Sequence, residues 1–256
     1  MQLKLQVVKI VELRDVWSEF CIYVIGRMED KLMMKEFLKR IRASILWRIR
    51  ANILGRFYPS LYMLRTSSAL HEDGWFRSNK EKASVDLHGE PIPWFTYPAF
   101  DFLKKHLPAN ISVFEYGCGA GTLWWAARAK EVVACEHNLE WYKKISAECP
   151  QNVKILYANL EYGGEYSKTI TKYQNKFDIV VIDGRDRVNC AKNCLSSLTE
   201  KGVIIFDDSD RKQYQDGYDY LLAHGFKRIE FMGIGPGLTF KFETSIFYRP
   251  NNIFGI

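Results

Sequence analysis

Glu115 and Glu136 each close a short apolar run, and three glycines lie between them. The chain reads Ile111-Ser112-Val113-Phe114-Glu115, then Gly117, Gly119 and Gly121, then a helix-forming segment from Thr122 to Lys130, then Val132-Val133-Ala134-Cys135-Glu136. This is strand, Gly-rich turn, helix, strand. Glycine lets such a turn take positive φ and lets a ligand approach with no Cβ in the way, while the start of the helix presents unpaired N–H groups. The second acid follows the first glycine by about twenty residues, the place where nucleotide-binding α/β folds carry the acid that takes both ribose hydroxyls. Taken alone, the glycine spacing is also that of an ordinary tight α/β turn; the two strand-end acids together point to a ligand.

The dinucleotide fingerprint G-x-G-x-x-G requires glycine at position 122, where this chain has Thr122. The pattern here is E-x-G-x-G-x-G, and the carboxylate of Glu115 would repel a pyrophosphate. It suits a ligand bearing an amino group.

Further strand-end polar residues follow in order. A helix over Leu139 to Glu148 leads to a strand over Val153 to Tyr157, with Asn159 just beyond it. Phe177-Asp178-Ile179-Val180-Val181-Ile182-Asp183 is the near-continuous apolar run of a central parallel strand, and Gly202 to Phe206 is a fifth strand that runs into Asp207-Asp208. Glu115, Glu136, Asn159, Asp183 and Asp207 should therefore ring one crevice, because open parallel sheets bind ligands over the carboxyl ends of their strands. A helix over Gln213 to His224, a strand over Phe226 to Met232 and a last strand over Ser245 to Tyr248 complete an α/β fold: a Rossmann-like, doubly wound, seven-stranded, mostly parallel sheet ending in an antiparallel hairpin.

From about Trp94 to Tyr248 the chain resembles the class I S-adenosylmethionine-dependent methyltransferases, whose first motif is [DE]-x-G-x-G-x-G with a second acid ending the next strand. The resemblance implies S-adenosyl-L-methionine as cofactor, held by Glu115, Gly117, Cys118, Gly119, Gly121, Glu136, Asn159 and Asp183. It implies also a lid over the methionine end from Pro91 to Pro98, including Tyr97, a stretch whose prolines and aromatics equally suit a rigid core plug. Asn159 stands where most relatives have Asp; its amide oxygen can accept from the adenine amino group. The same family includes metal-dependent O-methyltransferases acting on catechols or antibiotic sugars, and by that likeness Asp183, Asp207 and Asp208 would hold Mg²⁺ against an acceptor alkoxide. Asp208 replaces the amide of the catechol enzymes, and the pair can instead cap a helix or meet Arg185, Arg187 or Arg211. Without a metal, Asp183 or His137 is the catalytic base.

Charge is uneven. Residues 1–70 carry 13 Lys and Arg against 6 Asp and Glu, residues 71–256 carry 23 against 24. A near-neutral catalytic part disfavours a nucleic-acid enzyme, which needs clustered cations at its crevice, and favours a small-molecule or saccharide acceptor. We read residues 1–70 as a basic, partly helical extension, 71–98 as a polar linker and lid, and 99–256 as the cofactor-binding domain. Residues 1–30 assign to no clear element. Leu38, Ile41, Ile45, Ile49, Ile53 and Phe57 mark one helix face among arginines; such a helix either packs on its own domain or a second subunit, or lies on an anionic membrane surface. The six cysteines show no CxxC spacing, and a reducing, cytoplasmic setting follows as the default. A polyamine synthase using the decarboxylated cofactor, and a non-catalytic scaffold docking through residues 31–64, are the competing readings.

Overall fold

In the computed structural model, residues 39–46, 48, 56 and 58–256 are described. The chain divides into two compact units, Met1–Leu64 and Arg65–Ile256. Residues 39–46 are helical, and within them Ile45 and Leu46 are exposed. Leu38, Ile49, Ile53 and Phe57 of the amphipathic pattern, and residues 1–30, lie outside the described residues. Among the described residues no helix is long and apolar enough to cross a membrane.

The helices are α1 (Pro59–Thr66), α2 (Ala69–Glu72), α3 (Trp75–Glu81) and α4 (Tyr97–His106) before the sheet. Then come β1 (Ser112–Tyr116), α5 (Ala120–Ala126), β2 (Glu131–Glu136), α6 (Leu139–Glu148), β3 (Val153–Tyr157), α7 (Glu165–Lys168) and β4 (Phe177–Ile182). After them follow α8 (Arg187–Asn193), β5 (Leu198–Asp207), α9 (Gln215–Ala223), β6 (Lys227–Gly233) and β7 (Phe242–Tyr248). The strand order is β3-β2-β1-β4-β5-β7-β6, with β7 antiparallel to both its neighbours and the other pairings parallel. This is the expected doubly wound sheet and hairpin.

Alternation along the central strands feeds two cores. Phe114, Tyr116, Val180, Ile182, Ile204 and Phe206 pack with Tyr166, Cys190, Cys194, Tyr218 and Leu221 on one face. Val113, Ile179, Val181, Val203 and Ile205 pack with Phe95, Phe100, Leu103 and Trp125 on the other. Two-residue periodicity is the reason each strand reads as apolar throughout yet serves both layers. The cysteines at 190 and 194 are buried without a disulfide, as small apolar groups.

Two stretches differ from the sequence-based expectation. Strand β5 begins at Leu198, ahead of the expected start at Gly202, so Thr199 to Lys201 extend it through a register shift opposite Phe177 and Ile179. Ser67 to Pro91, expected as a solvated linker, folds: Ser68 caps α2, Ser78 and Val85 are buried, and Val85 bridges to Pro91. It is tied to the β6–β7 loop by Trp75 Nε1, which donates to Leu238 O at 2.6 Å, and Asn79 Nδ2, which donates to Gly237 O at 3.2 Å. Its polar side chains serve caps and turns, not solvent alone.

Phe206 is fully buried on β5, with ring centroids 4.9 Å from Tyr218 and 5.8 Å from Tyr214. Phe206→Ala is expected to cost about 3–5 kcal/mol, read as a fall in urea midpoint at unchanged slope.

Candidate active site

The strand ends open onto a cavity of about 1160 Å³, lined by Pro93, Trp94, Glu115, Gly117 to Gly121, Glu136, His137, Asn138, Trp141, Asp183 and Arg187, among others. Parallel registration assembles it. Glu115 pairs with Ala134 and Val181, and Val181 with Ile205. Two residues further on, Gly117, Glu136, Asp183 and Asp207 therefore form one row at the carboxyl edge.

Gly117 takes φ +88°, which turns the chain out of β1, and its amide donates to Cys135 O at 2.8 Å. Gly121 is glycine for a steric reason: a Cβ there would stand 2.8 Å from Glu115 Oε1 and 3.6 Å from Pro93 Cα. Thr122, which breaks the dinucleotide fingerprint, is the partner of the first acid. Its hydroxyl accepts from Gly119 N–H at 2.9 Å and donates to Glu115 Oε2 at 2.5 Å. Burial lifts the Glu115 carboxyl to about 8; the Thr122 bond opposes this, and the charges of Asp183 and Glu136 reinforce it.

Glu136 is held differently. Oε1 accepts from the amides of His137 (2.8 Å) and Asn138 (2.7 Å), and Oε2 from that of Cys118 (3.2 Å). Three backbone donors fix the carboxylate while leaving lone-pair capacity for hydroxyls of a ligand. Cys118 contributes through its backbone, since its carbonyl accepts from Trp141 Nε1 at 2.5 Å and burial pushes its thiol far up. His137 is half-buried in the same wall, Nδ1 3.0 Å from Glu136 Oε1 and its ring edge-on to Tyr166.

Asp183 lines the cavity two residues past the sheet row of Glu115, and burial raises its carboxyl to about 6 against the opposing charge of Arg187. The carboxylates of Asp183, Asp207 and Asp208, assigned to a metal by the resemblance, are met here by Arg187. Its guanidinium, 7% exposed at the side chain, lies 3.2 Å from Asp183 Oδ1, 3.0 Å from Asp208 Oδ2 and 3.9 Å from Asp207 Oδ2. It also donates to the carbonyls of Gly184 and Asp207. Asp207 Oδ1 is taken by Thr244 Oγ1 at 2.7 Å, and Asp208 Oδ1 by Arg211 at 2.8 Å. Burial and the neighbouring Asp183 charge push the Asp207 carboxyl well above its ordinary value. A protein cation lies among these carboxylates, and among the described residues no group of three or more His, Cys, Asp or Glu is placed to bind a metal.

Two other expected site residues stand elsewhere. Asn159 is exposed, accepts from Tyr157 Oη at 2.7 Å and is outside the cavity wall, because Tyr157 already pairs with Glu136 and the chain has run two residues past the row. Tyr97 is buried at the start of α4, its amide bonded to Ile234 O, and also lies outside the wall; Pro93 and Trp94 are the lid residues that line it. Trp141 was not anticipated, although Asn138, which caps α6 through Trp141 N–H at 2.9 Å, follows Glu136 closely enough to signal that the first turn of α6 returns over the glycine loop.

These features, a seven-stranded sheet of this order with two glutamates around a glycine turn at its carboxyl edge, are those that the resemblance to class I methyltransferases led us to expect. Residues 114–209, from within β1 to just past the end of β5, match the family described as a methyltransferase domain. No curated protein matches. Among solved structures, the spermidine synthase from Thermotoga maritima is 15% identical at a TM-score of 0.43, over 57% of this chain and 55% of that one. This chain thus spans about half the length of that protein. Precorrin-6y C5,15-methyltransferase from Geobacter metallireducens is 15% identical at TM-score 0.45, over 58% and 86%. The N-methyltransferase NodS from Bradyrhizobium japonicum is 14% identical at 0.41, over 59% and 93%.

Two measurements check the electrostatics. Glu115 titrates near 8 in the fold against an ordinary 4.5, so the fold keeps a proton that the unfolded chain releases. Its stabilising contribution is full below about pH 4.5 and is lost as pH rises to about 8. Urea unfolding should show wild type losing stability relative to Glu115→Gln across that window; a constant difference contradicts the assignment. Mg²⁺ titrated calorimetrically at millimolar concentration should give no saturable heat, whereas a stoichiometric site would contradict the Arg187-filled cluster.

Proposed function

We propose that the protein transfers a methyl group from S-adenosyl-L-methionine to an oxygen of a small molecule or saccharide. The observation that carries this is the placement of Glu115 and Glu136 in one cavity on either side of the glycine loop. Glu136, oriented by three amides, offers acceptor capacity to a ribose diol. Glu115, beside the gap kept by Gly121, suits an ammonium, which would draw off the proton that burial keeps on the acid. Trp141 and Asn138 supply a wall for an adenine, the role for which Asn159 is out of place. Bound there, the cofactor supplies an activated methyl on a sulfonium, whose departure leaves a neutral thioether.

The remaining requirement is to position the acceptor and remove its proton. Asp183 is the base: it faces the cavity, its carboxyl titrates near 6, and Arg187 stabilises the ionised form. Asp183 would take the proton of an acceptor hydroxyl, while the cofactor held by Glu115 and Glu136 would supply the methyl group. His137, beside Glu136, belongs to the ribose side.

Calorimetry with S-adenosylhomocysteine tests the cofactor reading, and uptake of neither cofactor nor product would leave the scaffold reading. With an accepted substrate, Asp183→Asn should lower kcat by about 10²-fold or more while product affinity stays within about threefold. Wild-type rate should fall about tenfold per pH unit below about 6. A rate independent of pH there, or an aminopropyl rather than a methyl group on the product, contradicts the assignment.

A further inference from the structure

We propose that the acceptor is an anionic saccharide, its carboxylate or phosphate ester held by Lys82 and Arg185 and its ring laid on Trp94; this rests on the methyltransferase reading. Of the cations lining the cavity, these two have neither a carboxylate nor a ring partner among the described residues, while Glu140 and Glu148, without an ion pair among the same residues, stand on the opposite α6 wall. Glu81 is bonded by Arg77 Nε at 2.9 Å. Asp183 is met by Arg187, Glu136 by three amides and Glu115 by Thr122 with its own proton. Lys144 lies 4.7 Å over the Trp141 ring, on the α6 wall that also carries Glu140 and Glu148. Lys82 and Arg185 line the same cavity, are exposed, and among the described residues their side chains have neither carboxylate nor ring partner.

Their position is on the side away from α6. Pro93 adjoins Gly121, and Gly184 adjoins Gly117, with the place of a Gly117 Cβ only 3.2 Å from Gly184 Cα. The 81–94 segment and the Asp183–Arg187 loop therefore flank the Glu115 turn, with the base between them and the nucleoside wall of Glu136 and Trp141. An acceptor presenting its hydroxyl to Asp183 lies against Arg185 and the 81–94 segment. Trp94 offers it a flat apolar face: its indole is 45% exposed while Ile92 and Phe95 on either side are buried, so the ring is held out by a rigid Pro-rich strip. In the same segment Ser84, 3% exposed and in the cavity wall, has a hydroxyl with no hydrogen-bond partner. A buried hydroxyl left unpaired is costly, and a polyhydroxylated ligand is the kind that supplies a partner. An uncharged hexose would satisfy the indole and leave both cations unmatched.

The test uses the full chain loaded with S-adenosylhomocysteine and titrated calorimetrically at low ionic strength with glucuronate, glucose 6-phosphate and glucose. At least one anion should bind roughly tenfold more tightly than glucose, the tighter of the two telling carboxylate from phosphate, and added salt should erode the advantage. In the double variant Lys82→Ala/Arg185→Ala that advantage should vanish, with product binding serving as the control for folding; Trp94→Ala should weaken all three sugars. Equal binding of glucose and the anions by product-loaded protein, or an anion preference that survives the double variant, overturns the proposal while leaving the methyltransferase reading in place. Failure to take up the product overturns that reading and the proposal with it.

Discussion

Parallel hydrogen bonding aligns Glu115 with Ala134 on one side and Val181 on the other, and Val181 with Ile205 beyond. Everything at the site depends on that registration. A strand's side chains alternate, so residues two apart share a face, and Gly117, Glu136, Asp183 and Asp207 follow the aligned row by two. Slipping any one strand by a residue would send its acid to the opposite core, among Phe114, Val180 and Phe206. The apolar content of β1, β4 and β5, fully buried on both faces, is what prevents the slip.

At the carboxyl edge of the sheet, three acids are treated in three ways. Glu136 is satisfied by backbone amides, a fixed acceptor. Glu115 is buried with a single hydroxyl donor and retains a proton, so its ionisation waits for a cation. Asp183 shares a guanidinium with Asp207 and Asp208, which keeps it closer to the usual range than its burial alone would. Removing one partner from such a buried cluster is more damaging than the cluster is stabilising, because the remaining charge is left unpaired. Arg187 is thus as much a part of the site as the acids it serves.

Strand-end acids were legible from the chain alone because apolar runs and their terminators are local features, and β3 and α6 fall on the expected bounds. Asn159 lies outside the cavity wall although β3 ends where expected: its amide oxygen is taken by Tyr157 Oη, a side-chain contact that counting along the chain does not show. The run Asp183-Gly184-Arg185-Asp186-Arg187 offers two arginines, and only the fold selects one. Asp186 takes φ +49° and bonds Gly163 N–H through its side chain; Arg187 then turns in among the carboxylates while Arg185 stays out. Ser67 to Pro91 was read as solvated because its composition is that of a loop, yet tryptophan and serine side chains there find backbone partners up to 163 residues away. Long-range satisfaction of polar groups has no local signature.

The most direct test of the account is a crystal structure of the protein grown with S-adenosylhomocysteine. The ribose hydroxyls should lie within hydrogen-bonding distance of the Glu136 carboxylate, the amino group beside Glu115 near Gly121, and the sulfur turned toward Asp183. A ligand seated away from the Glu115–Gly121 turn, or one in which Glu136 touches nothing but its three backbone amides, would contradict it.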